Sequence, residues 1–283
     1  MSSKPLLPQG FQFSQGSLQD YVDCRRRFYL RYILDLAWPA IQSEPVIENE
    51  RYMRQGALFH RLLQQFWLGV PAERLAKLIH DEDLGRWWDH FLQDKLVQEG
   101  LSTKGFHYPE ISLSAPLEGY RLVAKFDLLR MGDQGTVTIY DWKTARKRPR
   151  RDWLQERLQT RVYPYLLVRA GTQLNGGEQL HPDQVEMIYW FADFPDQPEH
   201  FKYNRQQFEQ DEAYLTGLLQ EILGLVPDAF GLTSQIERCA FCVYRSLCDR
   251  GEQAGTLGES AGELEGEVED IFLDFDQIAE IEF

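Results

Sequence analysis

The sequence has no apolar run that is long enough to cross a bilayer, and its first residues, MSSKPLLPQGFQFS, lack the apolar core of a secretory signal peptide. No internal repeat is visible. With 43% hydrophobic and 26% charged residues, the 283-residue chain has the composition of an ordinary globular protein and can bury a sizeable core. We therefore expect a soluble, cytoplasmic protein.

Basic residues are absent from the end of the chain. Residues 251–283 contain eleven acidic residues and neither Lys nor Arg, although the whole sequence has 44 acidic and 30 basic residues and a net charge of −14. Residues 1–250 therefore carry 33 acids against 30 bases, and a local phosphate-binding surface is compatible with this balance. Solvated faces are the alternative explanation of the basic clusters. These are Arg25, Arg26, Arg27 and Arg31, and later Lys143, Arg146, Lys147, Arg148, Arg150 and Arg151.

Cysteine is scarce, and most of it lies in one place. Of four cysteines, Cys239, Cys242 and Cys248 fall within ten residues, whereas Cys24 stands alone near the start. Because cytoplasmic proteins rarely make structural disulfides, this spacing indicates a metal or iron–sulfur site, with tetrahedral zinc and a [4Fe-4S] cluster both open. The alternative is that Cys24 is unrelated and the other three are incidental. A shared site would tie the first helix to the C-terminal segment.

The stretch RLVAKFDLLRMGDQGTVTIYDWK predicts a β-hairpin. It contains two strand-like runs, 122–130 and 136–142, which are separated by the turn-forming residues 132–135. Asp141 and Lys143 are two residues apart, so their side chains share one face of the second strand, and Asp127 on the neighbouring strand can reach them. A buried Asp or Lys is costly unless it is paired or holds a metal. An Asp–Lys ion pair at a strand end is the alternative interpretation.

Periodicity predicts further elements on both sides of this hairpin. His60 lies near the boundary of an apolar helix face, where a histidine is often only a core residue, and Glu110 begins the strand before the hairpin. Gln159 and Tyr163 share one helix face, and Pro164 should kink or divide that helix. The predicted helices are 17–36 with Ser17 as the cap, 50–68 after a loop at 39–49, 71–80, 84–99, 152–170 and 206–225, and the further strands are 108–115, 185–191 and 199–203.

Taken together, these residues resemble the PD-(D/E)XK nuclease superfamily, in its RecB-like branch with an iron–sulfur cluster. That branch includes the AddB nuclease domain and CRISPR-associated RecB-like exonucleases. The resemblance covers most of residues 14–250 in the expected order. The matching positions are the helical His60, the strand acid Glu110, the first catalytic Asp127, the D/E-x-K motif Asp141-Trp142-Lys143, the Q-x-x-x-Y motif from Gln159 to Tyr163, and the cluster ligands Cys24, Cys239, Cys242 and Cys248.

The resemblance implies metal-dependent hydrolysis of DNA phosphodiester bonds, with single strands or DNA ends as substrate in repair, recombination or CRISPR-type processing. Asp127, Asp141, His60 and the Trp142 backbone carbonyl would hold Mg²⁺ or Mn²⁺, and Glu110 would add a direct or water-mediated contact. Lys143 would position or deprotonate the attacking water. Strand orientation is implied for Gln159 and Tyr163, and we expect phosphate contacts from Arg146, Lys147 and Arg148.

The implied fold is of the α/β (α+β) class. We expect a restriction-endonuclease-like core with a mixed central sheet flanked by helices, a helical cap and a C-terminal cysteine-cluster segment. The nuclease domain would span 14–250, with a helical insertion at about 50–100 and the cysteine segment at 236–250. A non-catalytic or partner-dependent DNA-binding module, stapled by iron–sulfur or zinc, is the first rival. A zinc-stapled or redox-sensing protein is the second.

The acidic tail, 251–283, has a Gly- and Glu-rich linker up to about residue 267 and then the segment DIFLDFDQIAEIEF. A disordered solubilising tail is the simplest interpretation. The segment is too apolar for that role alone, so we expect it to bind a protein partner or to mask the basic surface. Its apolar residues are Ile271, Phe272, Leu273, Phe275, Ile278, Ile281 and Phe283.

Overall fold

The computed structural model describes residues 6–36, 44–95, 97–98, 105–132 and 135–251. The predicted tail segment lies outside the described residues. None of the helices within these ranges combines the length and the apolar composition that a membrane crossing requires.

Strands from across the described ranges form one mixed, six-stranded sheet. Its order is β1-β3-β4-β5-β6, and β2 pairs with the other edge of β3. The start of β3 pairs in parallel with β1, and its end pairs antiparallel with β4, so the predicted hairpin is confirmed. The strands are β1 (Gln12–Ser14), β2 (Phe106–Leu117), β3 (Tyr120–Met131), β4 (Val137–Lys143), β5 (Val185–Phe191) and β6 (Glu199–Lys202).

Helices cover both faces of this sheet. The α-helices are α1 (Gln15–Asp23), α2 (Arg25–Phe28), α3 (Glu44–Trp67), α4 (Ala72–Ala76), α5 (Glu82–Gln93), α6 (Arg151–Glu156), α7 (Leu158–Ala170) and α8 (Arg205–Gly224). A π-helical turn spans Tyr29–Ile33, and short 3₁₀ helices span Gly171–Asn175, Pro182–Gln184, Pro227–Ala229, Ile236–Phe241 and Ser246–Cys248.

Two hydrophobic cores lie on opposite faces of the sheet. Along β5, Met187 and Tyr189 face the first core with α1, α7 and α8, whereas Ile188 and Trp190 face the second core with α3 and α5. Successive apolar residues of β5 thus enter opposite cores, as expected for a strand that is buried on both faces. The predicted mixed sheet flanked by helices is therefore confirmed, and α3 to α5 form the predicted helical layer over one face.

The first predicted helix, 17–36, is wrong as a single element, because it is interrupted at Cys24. Cys24 has extended backbone angles, φ −160° and ψ 106°, and the N–H of Arg26 donates to the Gly231 carbonyl at 3.1 Å. A tertiary hydrogen bond thus replaces the helical one. The helix cap is Ser14 and not the predicted Ser17. The Ser14 side chain accepts from the Ser17 N–H, and the Ser17 side chain accepts from the Ser14 N–H, which together form a capping box.

The predicted loop over 39–49 is wrong in its second part, because α3 already begins at Glu44. Pro45 is compatible with this start, since the first turn of a helix needs no backbone donor there. The helix predicted at 71–80 is shorter than expected and becomes α4. The helix predicted at 84–99 is interrupted at Asp94, where α5 ends, and residues 95, 97 and 98 are helical again. The strands predicted at 185–191 and 199–203, and the helix at 206–225, are confirmed as β5, β6 and α8.

The predicted helix 152–170 is divided, but at Arg157 instead of Pro164. Arg157 has φ −67° and ψ 140°, and α7 then continues through Pro164 to Ala170. The N–H of Leu158 donates to the side chain of Gln19 at 3.0 Å, so a contact from α1 replaces a bond to the preceding turn. As a result, α7 starts as a separate helix instead of continuing α6.

Candidate active site

A histidine and two carboxylates come together where α3 crosses the sheet. His60 of α3, Glu110 of β2 and Asp127 of β3 offer ligand atoms that all lie within 4.8 Å of one another. The imidazole Nδ1 of His60 is 3.3 Å from Oδ1 of Asp127. Each of the three side chains is partly buried. The structure thus brings together three of the residues that the sequence analysis singled out.

In the pairing of β2 with β3, Glu110 and Asp127 lie between the paired positions Pro109–Leu128 and Ile111–Phe126. Glu110 has a φ of 53°, in the left-handed region that non-glycine residues rarely adopt. The alternation of β3 also shifts here, because Phe126 faces the first core and Leu128 the second. Lys125 Nζ contacts Glu110 Oε2 at 2.7 Å. Such local strain in the middle of a regular strand is typical of a functional site.

Packing of α3 against the sheet positions His60. Its neighbours Phe59, Leu62 and Leu63 are buried in the second core. His60 lies beside them at the margin of that core, which agrees with its predicted position at the boundary of an apolar face. Its contact with Asp127 leaves the imidazole directed at the carboxylates.

His60, Glu110 and Asp127 are called the metal-type group below. Asp127 also connects this group to the hairpin motif. Its Oδ2 accepts a hydrogen bond from the backbone N–H of Trp142 at 2.9 Å. This bond joins β3 to β4 beside the D/E-x-K residues. The role of the Trp142 carbonyl as a ligand stays a prediction, since the observed contact uses the N–H of that residue.

The other residues of the motif form a second group. Lys143 Nζ lies 3.1 Å from Asp141 Oδ2 and donates to Gln159 Oε1 at 3.0 Å. The amide of Gln159 donates in turn to Asp141 Oδ1. The Lys143 ammonium also lies 5.7 Å from the centre of the Tyr189 ring. Lys143 is therefore held in one position by a carboxylate, an amide and an aromatic ring.

Tyr163 lies behind this second group on α7. Its ring centre is 4.9 Å from that of Phe126, and the side chain is buried. Burial, followed by the charges of Asp141 and Asp127, raises the pKa of Tyr163 well above its ordinary value. Its hydroxyl is therefore neutral at physiological pH.

The charges of the metal-type group are strongly coupled. Burial and the charge of Asp127 raise the pKa of Glu110. Burial opposes the charged form of His60. The negative charges of Asp127, Glu110 and Asp141 favour that form more strongly, so the pKa of His60 rises to about 9. Burial also opposes the charge of Asp127, yet His60, the Trp142 N–H and Lys143 lower its pKa. Without a bound cation, the site holds an imidazolium–carboxylate pair at neutral pH.

A divalent cation fits this donor set. Two carboxylates and an imidazole, all within reach of one point, suit Mg²⁺ or Mn²⁺ and leave coordination positions for water. Since His60 must be neutral to bind a metal, the cation would replace the proton that the imidazole carries in its absence. Asp141 lies outside this group of three, and its carboxylate is between Lys143 and Gln159.

Comparison with known families decides what kind of protein carries this site. The sequence profile of the PD-(D/E)XK nuclease superfamily matches residues 12–249, which is most of the chain. The chain belongs to the PD-(D/E)XK nuclease superfamily. The members of this superfamily hydrolyse phosphodiester bonds, and the mixed sheet flanked by helices agrees with their restriction-endonuclease-like fold.

Individual relatives of this PD-(D/E)XK protein are distant. No curated protein matches the chain. The solved structure of SSO0001 is 14% identical, with a TM-score of 0.39, and covers 85% of this chain and 86% of its own. A protein from Eubacterium rectale that carries a provisional assignment as an exonuclease is 11% identical, with a TM-score of 0.45, and covers 75% and 80%. At these values neither structure adds to the assignment.

In this PD-(D/E)XK chain the three predicted phosphate-binding residues have different surroundings. Arg148 is bound to the Glu199 carboxylate and to the Gln197 carbonyl, so it is already paired within the protein. Arg146 and Lys147 are exposed, and a guanidinium nitrogen of Arg146 lies 3.9 Å from Asp83 Oδ2. The guanidinium of Arg146 lies over the Tyr52 ring at 3.7 Å from its centre. Arg146 therefore presents a fixed, planar cation three residues after Lys143.

All four cysteines are free thiols in this PD-(D/E)XK fold. Cys24 occupies the interruption between α1 and α2, and the others follow α8 in the C-terminal segment. Burial, and then neighbouring thiols including Cys24, raise the pKa of Cys239 and Cys248. Burial raises the pKa of Cys242 to about 11, to which Cys24 contributes. That the four cysteines share one site stays a prediction.

Lys125 is a site residue that the sequence analysis did not assign. It stands two residues before Asp127 on β3, and this spacing directs both side chains to one face of the strand. That signal was present in the sequence. The pairing of Lys125 with Glu110, in contrast, follows only from the way β2 and β3 lie side by side in the structure.

Proposed function

We propose that this protein is an Mg²⁺- or Mn²⁺-dependent deoxyribonuclease that acts as an exonuclease on single strands or DNA ends. The observation that carries the proposal is the adjacency of two groups. His60, Glu110 and Asp127 are spaced for a divalent cation, and Lys143 is fixed next to them by Asp141 and Gln159. DNA repair, recombination and CRISPR-type processing are the pathways in which such an activity is expected.

His60, Glu110 and Asp127 would hold the cation in this proposal, and Asp141 is the additional ligand that the family resemblance implies. A bound Mg²⁺ or Mn²⁺ would supply charge neutralisation at the phosphate and a more acidic water. The Lys125 ammonium orients the Glu110 carboxylate, and the Trp142 N–H orients that of Asp127. These contacts fix two of the ligands before any cation binds.

Lys143 acts on the substrate side of the site. Its ammonium can donate a proton or a hydrogen bond to a phosphate oxygen and orient a water for attack. The ion pair with Asp141 and the hydrogen bond to Gln159 hold the ammonium in place beside the metal ligands. Gln159 and the neutral Tyr163 hydroxyl supply hydrogen-bonding groups on the same side for strand orientation.

The DNA contacts proposed next to this site begin with Arg146 and Lys147. Exposed cations bind phosphates without sequence preference, which suits a nuclease that accepts many sequences. The Arg146 guanidinium, held flat on Tyr52, also offers a plane on which an unpaired base can stack. Paired bases are stacked on both faces already, so this plane favours single strands and frayed ends.

For the four cysteines we propose a [4Fe-4S] cluster, with zinc as the alternative occupant. Thiolates are the ligands in either case. Burial raises the pKa of Cys239, with Arg250 and Arg27 opposing it, so a bound metal would have to displace the thiol proton. Anaerobic purification should yield brown protein with about four irons per chain, a content that the cluster stoichiometry sets. Colourless protein with stoichiometric zinc would contradict the cluster.

The activity is tested with anaerobically purified protein and end-labelled single-stranded and duplex DNA, in the presence of Mn²⁺ or Mg²⁺. Wild type and the control Lys202→Ala, on an exposed position of β6, should degrade the DNA. Asp127→Ala and Lys143→Ala should not. If wild type and both variants bind DNA but none cleaves it, the protein is a DNA-binding module instead.

A further inference from the structure

A buried glutamine links two helices of the fold that are far apart in sequence. Gln19 of α1 is only 7% exposed and uses both ends of its amide. Its Nε2 donates to Asp23 Oδ1 at 2.8 Å, and its Oε1 accepts from the backbone N–H of Leu158 at 3.0 Å. Gln19 is therefore bound on one side to the end of α1 and on the other to the start of α7.

The start of α7 depends on this contact. The first N–H groups of a helix have no intrahelical partner, and a side chain from the residue before the helix often accepts from one of them. Here that residue is Arg157, which makes no side-chain capping bond. Gln19 supplies an acceptor from a different helix. The position of the first turn of α7 is thus fixed from α1.

That first turn carries Gln159, the residue next to Leu158. Gln159 donates to Asp141 and accepts from Lys143, so it sets the distance between these two side chains. A shift of about 1 Å in a catalytic group can lower the rate about 100-fold. A displacement of the first turn of α7 would therefore be passed to Lys143 by the side chain of Gln159.

The other end of the Gln19 amide leads to the cysteine segment. The Asp23 carboxylate is almost completely buried, and it pairs with Arg27 at 3.0 Å and with Arg157 at 3.8 Å. It also pairs with Arg238, which lies in the 3₁₀ helix that contains Cys239. One carboxylate thus holds together α1, the residue before α7, and the segment that carries three of the cysteines.

We propose that Gln19 is a positioning residue for phosphodiester cleavage, which rests on the function proposed above. It accepts from Leu158 and so fixes Gln159, which in turn holds Lys143 against Asp141. Through Asp23 and Arg238, the same amide ties the placement of Lys143 to that of the cysteine segment. Gln19 itself touches neither of the two site groups.

Gln19→Met tests this inference, because it keeps the length of the side chain and removes both hydrogen bonds. Gln15→Met is the matched control, since Gln15 lies on the same helix and its buried Oε1 has no partner among the described residues. The kcat of Gln19→Met should fall about tenfold or more with KM nearly unchanged, because positioning and not DNA binding is lost. Gln15→Met should keep the wild-type kcat.

Two further variants separate positioning from a merely structural role. If Gln19 acts through Gln159, the double variant Gln19→Met/Gln159→Leu should be no slower than Gln159→Leu alone. Gln19→Glu keeps the acceptor for Leu158 but loses the donor to Asp23, so its kcat should lie between those of wild type and Gln19→Met. Multiplying losses in the double variant would overturn the inference.

Hydrogen–deuterium exchange provides a readout that does not depend on activity. The Leu158 amide should exchange faster in Gln19→Met than in wild type, while the interior of α7 is unchanged. Faster exchange with an unchanged kcat would overturn the positioning role. Absence of cleavage by wild type would overturn the proposed function, and the inference with it. If Gln19→Met does not fold, Gln19→Asn, whose side chain is too short to reach Leu158, replaces it under the same criteria.

Discussion

Asp127 is the residue through which the two groups of the site are connected. One carboxylate oxygen faces His60 at 3.3 Å, and the other accepts from the Trp142 N–H at 2.9 Å. Both contacts favour its charged form, in line with its lowered pKa despite burial. The carboxylate is therefore ionised and oriented before a cation arrives.

Gln159 gives the most direct prediction at the residue scale. Gln159→Leu removes the amide that holds Lys143 and Asp141, so the cleavage rate should fall about 10- to 100-fold, the usual effect of losing a positioning contact. Mn²⁺ binding at His60, Glu110 and Asp127 should persist. Single-turnover cleavage and calorimetric Mn²⁺ titration check the two parts, with the exposed Gln206→Leu as control. Lost Mn²⁺ binding would place Gln159 in the metal site.

Arg146 tests whether a planar cation matters more than a charge. Arg146→Lys keeps the charge but loses the plane that lies on Tyr52, so affinity for single-stranded DNA should fall about tenfold. The slope of log affinity against log salt should not change, because the number of cations is the same. Fluorescence anisotropy over a salt series measures both. A lysine variant with wild-type affinity would show that Arg146 contributes charge alone.

At the scale of elements, one face of α3 forms a wall along the site. Tyr52, Gly56 and His60 are spaced by four residues and so lie in one row. Tyr52 contacts Arg146, and His60 contacts Asp127. Between them, a Cβ added at Gly56 would lie 3.0 Å from Thr144 Oγ1. The small residue lets the helix approach the segment that follows Lys143.

This approach predicts how glycine replacements behave. A Gly→Ala change inside a helix stabilises by about 1 kcal/mol when space allows. Gly217→Ala in α8, where nothing lies within 4 Å, should show the whole gain in the free energy of unfolding. Gly56→Ala should raise the free energy of unfolding by less than this in the wild type. Introduced into Thr144→Ala and compared with that single variant, it should give the full gain. Denaturant unfolding measures all three, and an equal gain for Gly56→Ala alone would mean that α3 is not pressed against Thr144.

The elements that the sequence predicts well are those whose pattern is set locally. β4, β5 and α8 follow from alternation and helical periodicity, and the hairpin follows from its turn residues. The interruption at Cys24 is set by a tertiary contact, the Arg26 N–H with the Gly231 carbonyl, so helical periodicity continues across it unbroken. The division at Arg157 likewise depends on Gln19. For the same reason Asp127, Asp141 and Lys143 are predictable as a motif, whereas Gln19 is not.

At the scale of the whole molecule, charge is separated along the chain. Residues 251–283 carry eleven acids and no base, next to a body that is nearly neutral and has exposed Arg146 and Lys147 beside its site. A polyanionic segment tethered to the body competes with DNA for such cations. The masking role of the tail, which stays a prediction, rests on this competition.

Deletion of residues 252–283 should raise affinity for DNA, and the gain should be largest at low salt, because screening weakens the competition. Anisotropy titrations of the full chain and the truncated chain at two salt concentrations test this. A second full-length variant, in which the tail acids are changed to their amides, should match the deletion. Equal affinity of all three proteins would remove the masking role.

The central claim is that a metal-binding group and a separate lysine group act together, and Mn²⁺ calorimetry paired with cleavage assays on the same samples tests it most directly. Asp127→Asn should lose both Mn²⁺ binding and cleavage, because its carboxylate is part of the metal group. Lys143→Met should keep Mn²⁺ binding and lose cleavage. If Lys143→Met cleaves DNA normally, or if Asp127→Asn binds Mn²⁺ as wild type does, the division of roles between the two groups is contradicted.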